Sequence, residues 1–297
     1  MFLKILKSLF MPTEMIRYRT MGIVFSIAIF LLASYLLALP QMTFTQNNRY
    51  LIVDEQNPYD LLAFSDMSEG AIAEIKAFKC QIENGYINGE CQDSVQEAEP
   101  YIFPITYQDE PYNIYFVFDL YNVFNPDATP NYDIQERFNA TLEADDNKIL
   151  VVIYQNRIHY QTPSQRTLKG KILEYPKNFQ WDFSEMQTGK DISYKLMDLY
   201  IPDIKTETTF NTFLSTVVYP AALILIVWLI FKGGNSLYSF KEFYNVAAIA
   251  SLTPLLLIFA LSWVFPSWSL LFYYSTIFGI YYLYVIFRIQ NKTKTVD

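Results

Sequence analysis

The chain has 297 residues, 52% of them hydrophobic, with a formal net charge of −8 and 9 glycines, and its mean hydropathy of +0.12 lies between soluble and membrane proteins. The charge is unevenly spread: residues 41–212 hold 27 acidic and 13 basic side chains, net −14, while the rest hold 9 basic and 3 acidic. So acidic a central stretch, with no basic stripe on it, excludes nucleic acid as a partner because the phosphates would be repelled.

In chain order, residues 1–20 read as a cytoplasmic amphipathic segment. Phe2, Leu6, Leu9 and Phe10 fall on one helical face and Lys4 and Lys7 on the other, the pattern of a helix lying in a membrane interface. Pro12 interrupts it, and Thr13 caps a second helix that carries Arg17 and Arg19 into the first apolar run, residues 21–40. Twenty residues at a rise of about 1.5 Å cross a hydrocarbon core of about 30 Å. The run is too long for a cleaved leader and Ala38-Leu39-Pro40 is a poor cleavage site, so we expect an uncleaved anchor.

Residues 41–212 predict an extracytoplasmic α+β domain. Ala71, Ile72, Ile75 and Phe78 share one face of a helix over 68–79. Alternation around Asn84-Gly85 predicts a hairpin with a type I′ turn, and Asn88-Gly89 repeats the turn signal. Strands over 101–108 and 112–120 are joined across Asp109-Glu110-Pro111; the second is apolar on both faces and therefore central. Asp133 and Glu136 form a capping box for a helix over 134–143. A hairpin over 148–155 and 158–162 follows, then an amphipathic stretch over 192–200 that stops before Pro202.

Residues 213–231, 246–265 and 269–287 are three further apolar runs without Asp, Glu, Lys, Arg or His. Basic residues cluster before the first run, in the loop 232–245 (Lys232, Lys241) and in the tail 288–297 (Arg288, Lys292, Lys294). By the positive-inside rule these regions are cytoplasmic. The expected fold is thus an α-helical membrane protein of four transmembrane helices, with the α+β domain inserted between the first and second spans. Both termini are expected in the cytoplasm and the protein in the cell membrane.

With these parts in place, the chain resembles a bacterial membrane-protein family of unassigned function that includes the maltodextrin-utilisation protein MalA. The likeness runs through Lys7-Ser8-Leu9-Phe10 with Pro12, Arg17 and Arg19, the stretch 78–87 with Asn84-Gly85, the hairpin over 149–160, and 244–257 with Thr253-Pro254. The last block is also similar to the Yip family of trafficking membrane proteins. The resemblance implies a four-span protein with an external domain, accessory to sugar uptake, and supplies no catalytic residue. Cys80, Cys91 and the acidic loop at Asn125 are particular to this chain.

Candidate sites are few. Asn125, Asp127, Thr129, Asn131, Asp133 and Glu136 occupy positions 1, 3, 5, 7, 9 and 12 of an EF-hand-like calcium loop, but Pro130 stands where a glycine makes the turn, so a solvated loop is the rival reading. Cys80 and Cys91, both in the external stretch, are expected to pair as a disulfide, two free thiols being the alternative. The single histidine, His159, is expected as a half-exposed strand residue. No catalytic residue, cofactor-binding motif or cofactor is expected. In the spans the polar candidates are Asn245, Ser251, Thr253, Ser262, Ser275 and Thr276, and Pro254 marks a helix kink whose freed carbonyl Ser251 or Thr253 would satisfy. We expect a non-catalytic protein whose external domain binds a partner or ligand, in contact with the lipid bilayer and a membrane-protein partner complex. The alternative is a small permease or channel.

Overall fold

The computed structural model describes residues 11–56, 58–91, 101–121, 148–162, 171–233, 236–265 and 269–293. Their elements, in chain order, are helices α1 (Ile23–Asn47), α2 (Arg49–Gln56) and α3 (Glu69–Lys76), strands β1 (Lys79–Glu83), β2 (Tyr86–Glu90), β3 (Tyr101–Tyr107), β4 (Glu110–Asp119), β5 (Lys148–Tyr154), β6 (Arg157–Gln161), β7 (Lys171–Glu174) and β8 (Trp181–Asp182), and helices α4 (Gly189–Phe213), α5 (Tyr219–Phe231), α6 (Phe240–Val264) and α7 (Ser269–Thr293). Short 3-10 segments stand at Pro12–Tyr18, Pro58–Asp66 and Phe183–Glu185. Residues 1–10, the expected helix over 134–143 and all six calcium-loop candidates from Asn125 to Glu136 lie outside the described residues.

The chain divides into two units. One is Met1–Asn47 with Asp203–Asp297, and the other is Asn48–Pro202. The sequence boundaries at 40/41 and 212/213 therefore move: α1 continues through Pro40 to Asn47, and α4 passes through Pro202 without a break. Proline costs a helix one hydrogen bond and a clash with the carbonyl four residues back, which is why both were read as ends. The residues on either side keep helical periodicity and bury one face, and that outweighs the single lost bond.

Four helices, Ile23–Asn47, Gly189–Phe231, Phe240–Val264 and Leu270–Asn291, are each long and apolar enough to cross a membrane, and from Asp203 onward the second belongs with the others to the helical unit. Large apolar side chains stand on its outer surface, among them Val24, Phe25, Leu32, Ile230, Leu256 and Phe272. An apolar surface of that extent has no stable place in water. The interior is a column of rings on α7: Tyr274, Phe278 and Tyr282, four residues apart, stack with centroids 6.3 and 5.7 Å apart. Phe30 of α1 meets Phe278 edge-on at 6.1 Å and lies 5.3 Å from Tyr244 of α6. Ala247, Ala248, Ala250 and Ser251 are all buried on α6, where small side chains let helices approach closely. The segment Pro12–Tyr18 forms a 3-10 turn with Met15 fully buried in this core, rather than an α-helix leading straight into the span.

The second unit holds two sheets, a three-stranded one in the order β2-β1-β8 and a five-stranded one in the order β3-β4-β5-β6-β7. The β1–β2 hairpin turns at Asn84-Gly85, with φ of 56° and 85°, both positive as a type I′ turn requires. The β3–β4 turn sits at Gln108-Asp109, φ 55° and 65°, one residue earlier than expected, and Pro111 is a strand residue opposite Thr106. Asn88-Gly89 makes no turn. It lies inside β2 opposite Gln81 and Cys80, at a φ of 109° for Gly89, where a Cβ would meet the Lys79 carbonyl. β4 is central, flanked by antiparallel β3 and parallel β5.

One face of the five-stranded sheet carries Phe116, Phe118, Val151, Ile153 and Tyr160, packed with Phe64, Phe78 and Phe183; Phe78 and Phe118 meet edge-on at 4.9 Å. The opposite face carries Val117, Leu150, Val152 and Tyr154, also buried. Ser68 caps α3 by accepting from the Ala71 N–H at 3.2 Å, as its position before the apolar face predicts. The first turn of α4 is pressed against Pro58–Asp66, with the Ser193 hydroxyl donating to the Leu61 carbonyl. At Gly189, the first residue of α4, a Cβ would collide with the backbone carbonyl of Phe64. Gly189→Ala is therefore expected to lower stability by about 2 kcal/mol, whereas Gly70→Ala, whose Cβ would stand 3.8 Å from Ser68 Oγ on an exposed helix face, raises it slightly. Thermal unfolding of the two variants side by side checks both signs.

Candidate functional site

The chemistry available to the helical unit is set by the polar groups inside it. Its buried polar side chains, among the described residues, are all uncharged: Ser26, Ser34, Gln41, Thr45, Thr208, Thr212, Thr216, Ser236, Asn245, Ser251, Ser262 and Ser275. Several are bonded within their own helix. The hydroxyls of Thr208, Thr212 and Thr216 donate to the carbonyls of Ile204, Thr208 and Thr212, at 2.7, 2.6 and 2.7 Å. Ser251 and Ser262 donate three residues back, to Ala248 and Phe259, at 2.8 and 2.9 Å.

Several groups reach between segments, among them Ser236, whose hydroxyl donates to the Ile289 carbonyl at 3.5 Å, and Tyr282, which donates to the Phe243 carbonyl at 3.3 Å; two others bear on the backbone. Asn245 near the start of α6 is fully buried and uses its whole amide: Nδ2 donates to the Arg19 and Met21 carbonyls at 2.8 and 2.6 Å, and Oδ1 accepts from Ser26 Oγ at 2.6 Å. It thereby fixes where the chain enters α1. Arg19 adds a bond of 3.0 Å from Nη1 to the Ser236 carbonyl. The second is Ser275 of α7, which donates to the Ser215 carbonyl at 3.1 Å.

That bond has a backbone cause. Between α4 and α5, residues Leu214–Val218 form a π turn, in which the Tyr219 N–H reaches back five residues to Leu214. In the same pattern Ser215 would accept from residue 220, which is Pro220 and has no N–H. The orphaned carbonyl is taken by Ser275. Sequence reading marked Ser275 as a polar candidate without this role; the signal was Pro220, read only as part of an apolar run.

Pro254 lies in the middle of the continuous helix α6. Of the two residues expected to satisfy its freed carbonyl, Ser251 donates instead to the Ala248 carbonyl at 2.8 Å. The start of α6 was also missed. Ser239 and Glu242 form a capping box, with Glu242 N to Ser239 Oγ at 3.3 Å and Ser239 N to Glu242 Oε2 at 3.0 Å, so the helix begins at Phe240 rather than Val246.

In the sheet unit, the sulfurs of Cys80 and Cys91 stand at bonding distance, with Cα atoms 5.1 Å apart, joining the end of β2 back to β1. His159 departs from expectation. It is fully buried in β6, between Val152 of β5 and Ile172 of β7, and neither ring nitrogen has a hydrogen-bond partner. Burial alone lowers its pKa to about 4. A neutral imidazole that bonds neither nucleophile nor carboxylate does not form the relay that hydrolytic catalysis needs at that residue. The half-exposed reading fails because the face of the sheet that His159 shares with Val117, Val152 and Tyr154 is buried as well. On this unit's surface, Asp54 of α2 accepts from Lys190 Nζ at 3.1 Å and from the Tyr194 hydroxyl at 3.2 Å, while Arg49 Nε pairs with Asp198 at 2.9 Å. These contacts clasp α2 to the first turns of α4. Burial raises the Asp198 carboxyl and the Arg49 charge opposes it.

Comparison with known proteins returns no match: neither a protein family, nor a characterised protein, nor a solved structure is similar to the chain.

Two outcomes follow. Ser275→Ala should cost about 1 kcal/mol, the usual worth of a hydrogen bond between membrane helices. In a Pro220→Ala background, where residue 220 regains its N–H, that cost should vanish; a double-mutant cycle read by unfolding in detergent checks it. For His159, the folded value is depressed from 6.5 to about 4, so between those values the unfolded chain holds the extra proton. Stability is then full above pH 6.5 and falls as pH drops toward 4, by up to about 3 kcal/mol. Melting curves from pH 7 to 4 should show this slope in the native chain and a smaller one in His159→Leu.

Proposed function

We propose that this is a non-catalytic, multi-pass protein of the cell membrane. Its sheet unit, outside the cytoplasm, recognises a partner or ligand as the accessory, sensor or scaffold part of a membrane-protein complex. The observation that carries this reading is the character of the helical interior. Its fully buried polar side chains, among the described residues, are neutral, and those of Thr212, Thr216 and Asn245 donate to carbonyls while Ser26 donates to the Asn245 amide. Carriers that couple transport to ions or protons place ionisable groups inside their spans despite the cost. Recognition of a polar or charged partner then falls to the acidic unit, where the exposed Tyr86, Ile102 and Tyr121 offer apolar contacts among the charges. The orientation rests on the basic residues at the chain ends and at Lys232 and Lys241. A link to carbohydrate uptake rests on the sequence resemblance alone.

The test has two arms. In a cysteine-free background, single cysteines at Ser8, Asn235 and Thr293 should resist a membrane-impermeant thiol reagent in intact cells, and one at Asn125 should react. A photo-crosslinking residue at Tyr86 or Ile102 should capture a discrete membrane-protein adduct that one at Ile230 does not. Labelling of Asn235 from outside would overturn the topology. Solute flux through the purified protein in liposomes, with no adduct from either external position, would replace the accessory reading with a permease or channel.

A further inference from the structure

Along the helical unit runs a furrow of about 510 Å³, walled by α1 through Ser34 and Met42 and by α4 through Lys205, Thr209, Phe210 and Phe213. Both walls repeat at helical spacing. Ser34 and Met42 are eight residues apart on one helix, as are Lys205 and Phe213 on the other, so each wall is roughly 12 Å long. That compares with about 15 Å for the hydrocarbon of one leaflet. The furrow is open to its surroundings, since Phe210 and Phe213 are 59% and 39% exposed although they form its apolar wall.

Its two ends differ in chemistry. At one end stands the Lys205 ammonium, whose partner among the described residues is the neutral Gln46 Oε1 at 3.0 Å. Asp203 and Glu207 lie two residues to either side on α4, and residues at that spacing do not face each other on a helix. Further along come Met42, Phe210 and Phe213. A cation at the head of an apolar trough, on helices long enough to cross a bilayer, matches one kind of molecule: an amphiphile with an anionic head and a hydrocarbon chain.

We propose that this furrow binds one anionic glycerophospholipid, its phosphate on Lys205 and one acyl chain laid along Met42, Phe210 and Phe213. The Lys205 charge, which Gln46 bonds but does not neutralise, is what selects an anionic lipid over a zwitterionic one. The neighbouring Thr209 hydroxyl donates to the Lys205 carbonyl at 2.8 Å, leaving the ammonium as the group that reads the head. The site rests on the membrane-spanning reading of these helices and is independent of what the sheet unit recognises.

The test uses the full chain, delipidated in detergent and titrated with phosphatidylglycerol or phosphatidylcholine while bound lipids are counted by native mass spectrometry. One phosphatidylglycerol should be retained, with a preference of about fivefold over phosphatidylcholine, the effect of a single lysine on an anionic lipid. Lys205→Glu should remove the preference and Lys205→Arg keep it. Thr209→Trp, which fills the furrow from an exposed position, should lower retention of both lipids. Equal binding of the two lipids by the native chain would overturn the proposal without recourse to any variant, as would unchanged preference in Lys205→Glu. A dimeric mass that Thr209→Trp dissolves would overturn it in favour of a second copy of the chain seated in the furrow. Because lipid retention is read on purified protein, its failure leaves the crosslinking result on the sheet unit standing.

Discussion

Backbone carbonyls and amides without water are the constraint on which the helical unit depends. Each unpaired group in hydrocarbon costs several kcal/mol, so an irregularity in one helix must be answered by a donor from somewhere else. Pro220 shows the consequence. It removes the N–H that the π turn at Leu214–Val218 would aim at Ser215, and Ser275 on α7 supplies the missing donor. A local fault in the chain thereby becomes a tie between two helices. Asn245 answers the same demand at the other irregular point, where the 3-10 segment Pro12–Tyr18 gives way to α1 and the carbonyls of Arg19 and Met21 have left regular helix. Both of these ties sit where the backbone departs from α-helical geometry.

The sheet unit meets the same demand by strand pairing, and its edges need separate handling. β3 lies at one end of the five-stranded sheet, and Pro104 in its middle has no N–H to offer an incoming strand. The three-stranded sheet is tied by the cysteines at one end and, through the Ile87 N–H donating to the Gln155 carbonyl at 2.8 Å, to the β5–β6 turn. That bond joins the two sheets at a hairpin corner, where the unpaired backbone groups of a turn are available. His159 stands outside this accounting, a buried ring with no partner for either nitrogen. Its depressed pKa is the physical consequence: the ring is tolerated because it stays neutral.

Much of this was legible in the chain wherever one local signal was decisive. Asn84-Gly85 specified a turn because only such a pair accepts two positive φ values cheaply, and the strand over 112–120 was recognisably central because both its faces are apolar. Signals that depend on context were misread. Asn88-Gly89 has the same composition but serves a close approach to the Lys79 carbonyl, which no local pattern reveals. Pro40 and Pro202 look like helix ends in any window of a few residues, yet tertiary burial on both sides of each carries the helix through. The capping box at Ser239 is readable in the sequence but lies seven residues before Val246, where the uncharged apolar run begins. The calcium-loop candidates, Asn125 to Glu136, fall outside the described residues, so the spacing there stands as sequence alone.

The threonines of α4 bear most directly on what the bundle can do. Thr208, Thr212 and Thr216 form a buried stripe along one face, the placement expected of a polar path through the spans. A file of water or solute needs groups that can both donate and accept as each molecule moves on. Here every hydroxyl proton is directed to the carbonyl one turn back in the same helix, at 2.6 to 2.7 Å. Only acceptor lone pairs are left over, and the rings of Tyr274, Phe278 and Tyr282 elsewhere in the interior stack one on another. Opening such a path would mean turning the hydroxyls away from satisfied bonds. Hydroxyls spent on their own backbone instead let a polar residue sit in a packed apolar interior at little cost. The stripe is therefore a packing surface, its hydroxyl protons spent on the backbone of its own helix.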